Sequence, residues 1–177
     1  MHKLLATILR GALLGAVAMP AISAPPHLGR PITAQQAASA GTTIFADGRG
    51  LPPGSGTARA GQIVFEQQCV RCHGAGARGG SAPELVGGTG PLSAARPDKT
   101  IGLYWPSAAT LFDFNRHAMP MDRPGSLSND EAYAVTAYLL HAEGLIGADE
   151  AMTARTLARV RMPNRDGFRV DAGITQR

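Results

Sequence analysis

Three stretches of the chain carry apolar residues at helical spacing, and the segments between them are rich in glycine and proline. The first, residues 57–69 (TARAGQIVFEQQC), opens on Thr57, a residue type that caps helix N-termini. It holds two adjacent stripes: Ala60, Ile63, Val64 and Gln67 make one face, while Gly61 and Phe65 sit one turn apart beside it. The second, 107–118 (SAATLFDFNRHA), follows Pro106, is capped by Ser107 and is stopped by Pro120. The third, 128–145 (SNDEAYAVTAYLLHAEGL), is the clearest. Ser128 and Glu131 have the spacing of a capping box. Ala132, Val135, Leu139 and Ala142 then recur at helical spacing, and Tyr138 and Leu145 widen the stripe. The pattern predicts an all-α fold.

The connecting segments divide the chain. Residues 25–56 end in GRGLPPGSGT and read as an extended N-terminal arm with little structure of its own. Residues 74–97 form a loop too long for a small domain unless it wraps around something. Residues 148–177 open on a short helix and continue as a polar, extended C-terminal extension that includes MPNRDGF. The predicted domain is 57–147. At the N-terminus, Lys3 and Arg10 flank a run without acids, GALLGAVAM follows, and PAISA supplies small residues. That order predicts a secretory signal peptide over 1–24, cleaved after Ser23 or Ala24. The apolar run is about half of what a membrane span needs. No cysteine lies near the cleavage point to take a lipid, so the expected mature protein is periplasmic without a membrane anchor.

Charge adds a boundary. Without Lys3 and Arg10 the 17 basic residues become 15 against 13 acids, a net charge near +2. No clustered basic stripe accompanies it, which argues against nucleic acid as a partner.

Both cysteines of the chain fall in CVRCH, residues 69–73. A disulfide across two intervening residues closes too small a loop to stabilise a fold much. Zinc needs a second pair of ligands, and His27, His117 and His141 do not supply a paired half-site. A redox dithiol calls for a strand before it, whereas here an amphipathic helix leads in. None of these explains His73 directly after Cys72. Covalent haem attachment does: Cys69 and Cys72 add to the porphyrin vinyl groups and His73 lies beneath the iron. One haem c would also supply apolar core that a chain with 5% aromatics lacks. The other axial ligand falls to the loop HAMPMDRPGSLS (117–128), where Met119, before Pro120, fits best and Met121 competes. His117 belongs to the preceding helix.

Residues 57–147 resemble the class I cytochrome c fold, in which three to four helices surround one covalent haem. That resemblance implies that the first and last helices cross where Gly61 and Phe65 meet Tyr138. It also implies that the carbonyl of Pro83, in APELVG (82–87), accepts a hydrogen bond from His73 Nδ1. The segments GRGLPPGSGT, KTIGLYWPSAATLFDFNRHAMP, SNDEAYAVTAYLL and MPNRDGF together resemble the cytochrome subunits of periplasmic sulfite and sulfane dehydrogenases. In that family the methionine of the AMP element is the expected ligand, which points to Met119.

The resemblance implies an electron-transfer subunit with no catalysis of its own. It would take electrons from a molybdenum-containing dehydrogenase subunit and pass them to a soluble cytochrome c. The alternatives are a generic carrier for another dehydrogenase, a catalytic cytochrome acting on sulfur compounds or peroxide, and a gas sensor. Catalysis at the iron calls for an open or unusually ligated metal, often a cysteine or a second haem. The single CxxCH uses both thiols. Tyr104 and Trp105 are candidates either for a haem propionate or for simple packing. Arg71 reads as a solvated surface residue; Arg78 and Arg96 could balance a propionate, and neither is assigned that role.

Overall fold

Helix packing organises the chain, which the computed structural model describes over residues 29–39 and 43–168. The expected signal peptide at 1–24, residues 25–28 of the arm and the tail from 169 lie outside the described residues. In chain order the elements are α1 (Ala34–Ser39), β1 (Ser55–Gly56), α2 (Ala58–Gln68), α3 (Val70–His73), α4 (Ile101–Tyr104), α5 (Ala108–Ala118), α6 (Asn129–Ala142), β2 (Met152–Thr153) and α7 (Ala154–Leu157). A 3₁₀ turn, Ala75–Ala77, follows α3. The three long helices are those the periodicity predicts, and the described fold is all-α apart from one two-residue ladder. No described helix is long and apolar enough to cross a membrane.

The caps behave as their residue types require. Thr57 accepts from Ala60 N, Ser107 from Ala109 N, and Ser128 with Glu131 completes a reciprocal capping box. The faces behave differently. On α2 the buried residues are Ala58, Gly61 and Phe65, while Ile63 is 58% exposed. The broader stripe of Ala60, Ile63 and Val64 is therefore not the packing face. Gly61 decides it: a Cβ there would overlap the Ala134 carbonyl of α6, so only a glycine permits the approach. Phe65 then stacks on Tyr138, ring centroids 5.0 Å apart, as the resemblance implied.

Helix α6 is buried on more than the expected stripe, because Tyr133, Ala134, Thr136, Ala137 and Leu140 are also covered. Residues 43–56 lie across it. The Tyr133 hydroxyl donates to the Pro52 carbonyl (2.8 Å), Asn129 Nδ2 to Pro53 O (3.1 Å), and Asp130 accepts from Ser55 N (2.8 Å). Burial pushes the Tyr133 phenol up to about 12. Phe112 of α5 stacks against the same Tyr133 ring at 4.3 Å.

The two flanking segments meet each other. β1 pairs antiparallel with β2 in the register Ser55↔Thr153 and Gly56↔Met152. Ile44, Met152, Leu157 and Met162 are all buried in the same apolar cluster as Phe65 and Phe112. Polar ties reinforce the packing: Arg59 pairs with Asp149, Ser107 Oγ donates to Ala46 O (3.0 Å), and Asn164 Nδ2 donates to Tyr104 O (2.8 Å).

Candidate haem site

The site begins where α2 ends. Cys69 serves as the C-cap of α2 and the N-cap of α3, and its carbonyl accepts from both Cys72 N (3.1 Å) and His73 N (3.0 Å). One helical turn thus gathers both thiols and the imidazole. Gly74 leaves that turn at φ +71°, where a Cβ would collide with the Gly79 carbonyl. The glycine-rich loop folds straight back: Gly79 N donates to His73 O (2.8 Å) and Ala82 N to Cys72 O (2.9 Å). This brings the Pro83 carbonyl 3.0 Å from His73 Nδ1. A carbonyl only accepts, so Nδ1 carries the proton and Nε2 keeps the free lone pair.

A cavity of about 460 Å³ opens against this turn. Cys69, Cys72 and His73 border it on one side, and Met119 at the C-cap of α5 borders it from another element. Phe65, Leu85, Leu127, Val135 and Leu139 make the apolar walls. Met119 is half-buried. Met121 also borders the cavity but is 79% exposed. His117 does not border it; its Nδ1 is bonded to the Asp113 carbonyl (3.1 Å) and its Nε2 to Arg116 Nη1 (3.0 Å). His141 is bonded to Ile146 O (3.0 Å), and His27 lies outside the described residues. Burial in the apolar wall, with some help from the neighbouring Cys72 thiol, pushes the Cys69 thiol up to about 11. Burial of this kind disfavours a free thiolate, whereas a thioether carries no charge to desolvate. Among the described residues no cluster of three His, Cys, Asp or Glu side chains is placed to hold a metal ion.

Residues 58–143 match the cytochrome c family model. A chain from the crystal structure of the sulfane dehydrogenase SoxCD of Paracoccus pantotrophus is 40% identical, with a TM-score of 0.74. That likeness covers 84% of this chain and 73% of the other. The chain belongs to the cytochrome c family. No curated protein matches it significantly in sequence. The family model spans about half of this cytochrome, so the likeness to the SoxCD chain reaches well into the flanking segments.

Membership of the family implies covalently bound haem c, and the residues present fit it. The cavity is apolar, two uncharged sulfurs stand on one border, and the two uncharged donors are an imidazole with a fixed tautomer and a thioether. Other residues of the cytochrome sort between the roles open to them. Trp105 packs on Phe114 (5.6 Å) and Tyr104 on Phe168 (5.3 Å), and neither borders the cavity. Arg78 and Arg96 do not border it either. Arg71 does, and it is not merely solvated: Nη2 donates to Asp122 Oδ2 at 2.8 Å. Sequence reading also passed over Asn115, which is 7% exposed, borders the cavity and donates to Thr136 Oγ1 (3.1 Å). Its position one turn before Met119 on a predicted helix was the available signal.

Proposed function

We propose that this cytochrome is an exported, periplasmic electron-transfer subunit carrying one haem c, and that it performs no substrate chemistry itself. Haem c, when bound, supplies a one-electron redox couple. The chain's own residues set its surroundings. Cys69 and Cys72 would anchor the macrocycle as thioethers, and His73 Nε2 with Met119 Sδ would hold the iron. The Pro83 carbonyl, by fixing the His73 tautomer, orients the imidazole. Phe65, Leu85, Leu127, Val135 and Leu139 exclude water from the cavity. Thioether ligation together with burial favours a raised potential, which suits an electron acceptor.

Between the two methionines, the geometry favours Met119. It emerges from α5 half-buried against the cavity, whereas Met121 faces solvent. The partner assignment rests on the SoxCD likeness, which extends beyond the haem-binding half of the chain. In this reading the donor is a molybdenum-containing sulfite or sulfane dehydrogenase subunit and the acceptor a soluble cytochrome c. The observation that carries the proposal is the convergence of CVRCH and Met119 on one apolar cavity.

The test combines mass and spectrum. The exported protein, denatured, should weigh one haem more than its polypeptide, and the ferric form should show the weak red absorption of thioether ligation. Met119→Ala should abolish that band and lower the potential, while Met121→Ala should leave both in place. A bare polypeptide mass with free thiols would overturn the haem assignment, and loss of the band in Met121→Ala would move the ligand by two residues.

A further inference from the structure

Beyond the buried Pro120, the loop that follows Met119 is exposed over residues 121–126, and the next buried apolar side chain is Leu127. The loop keeps its shape by two turns of its own, Arg123 N to Pro120 O (2.9 Å) and Ser126 N to Arg123 O (3.2 Å). Among the described residues, two side-chain bridges tie it to another element, and both land on the cysteine segment. Asp122 Oδ2 accepts from Arg71 Nη2, and Arg123 Nη2 donates to Gln68 Oε1. Gln68, Arg71 and Asp122 all border the mouth of the cavity.

We propose that Arg71–Asp122 and Gln68–Arg123 form a two-point clasp across the cavity mouth, which positions the Met119 loop and limits its opening to outside ligands. This rests on the reading of Met119 as the distal ligand. Arg71 lies between Cys69 and Cys72, so attachment of both sulfurs would immobilise its backbone from either side. Gln68 is the last residue of α2, packed through Gly61 and Phe65 onto α6. The two posts are thus held by a packed helix and by the attachment sequence, whereas residues 121–126 are exposed. Displacing Met119 requires the loop to swing away from α3, and that movement breaks both bridges. Because Arg71 and Asp122 are exposed, at 72% and 49% of their side-chain surface, the ion pair is weak and open to salt screening. A weak clasp is one that salt or a docking partner can release without unfolding the domain.

The experiment measures cyanide binding to the ferric holoprotein by the shift of its main visible band, at low ionic strength and at about 1 M salt, where charges are screened beyond about 3 Å. Asp122→Asn is preferred to an Arg71 substitution, because Arg71 lies inside the attachment sequence. At low salt, Asp122→Asn and Gln68→Ala should each bind cyanide about two- to fivefold faster than wild type, the range expected of exposed polar pairs. High salt should bring wild type close to Asp122→Asn, and Asp122→Glu should restore slow binding at low salt. Met119→Ala serves as the reference for an open site. Wild-type rates in both bridge variants, alongside fast binding in Met119→Ala, would overturn the clasp and leave the ligand assignment standing. Slow cyanide binding in Met119→Ala would instead overturn the ligand assignment, and the clasp with it.

Discussion

Replacing Gly61 by alanine sets two known effects against each other. Alanine is the better helix former by about 1 kcal/mol, so an exposed site on α2 would gain stability. At Gly61 the added Cβ would overlap the Ala134 carbonyl and stand 2.9 Å from Tyr138 Cβ. The obstruction is backbone and the root of a side chain, neither of which can rotate away, so α2 and α6 must move apart. Overpacking of this kind costs about 1–3 kcal/mol, and the rigid neighbours place this site at the upper end. The clash should win by about 2 kcal/mol. For a domain of this size that lowers the melting temperature by about 4–8 °C. Ile63→Ala is the matched control: on the same helix and 58% exposed, it should change stability by less than about 0.5 kcal/mol. Far-ultraviolet circular dichroism of the ferric holoprotein through thermal melting measures both. A Gly61→Ala protein that melts at or above the wild-type temperature would refute the close crossing. So would a larger loss from Ile63→Ala than from Gly61→Ala, because the other stripe would then be the packing face.

Leu157→Ala removes a fully buried side chain from the C-terminal segment and should cost about 2–5 kcal/mol, read as a lowered melting temperature with an unchanged haem spectrum. A truncation after Gly147 removes the buried Met152 and Met162 as well, so it should lower the melting temperature further than Leu157→Ala. Ser128→Ala should cost about 1 kcal/mol through loss of the α6 cap. Hydrogen bonds from the Ser128 backbone N–H and hydroxyl hold the Glu131 carboxyl below its ordinary value of 4.5. A depressed carboxylate stabilises the fold above its unfolded pKa, and that contribution fades as pH falls through the lower folded value. The stability difference between wild type and Glu131→Gln should therefore be full at neutral pH and shrink only below about pH 4.5, as measured by denaturant titration across that range.

Local chemistry was legible in the sequence, because it involves neighbours along the chain. Thr57, Ser107 and the Ser128–Glu131 pair cap the helices they were read to cap, since a cap bonds an amide two or three residues away. CVRCH was legible for the same reason: one turn of helix is enough to bring its three side chains together. What the tertiary structure decided is which surfaces meet. Periodicity shows that α2 has apolar stripes but not which of them finds a partner, and the choice fell to Gly61 because close approach outweighs the extra area of Ile63. Ile44, Met152, Leu157 and Met162 lie in short segments without a helical or strand period to mark them, and become core only when those segments fold back onto the helices. The ladder of Ser55 with Thr153 and the bridge of Arg71 to Asp122 join residues far apart in the chain. Neither partner carries a local trace of the other, so such pairs exist only once the helices have set the distance between them.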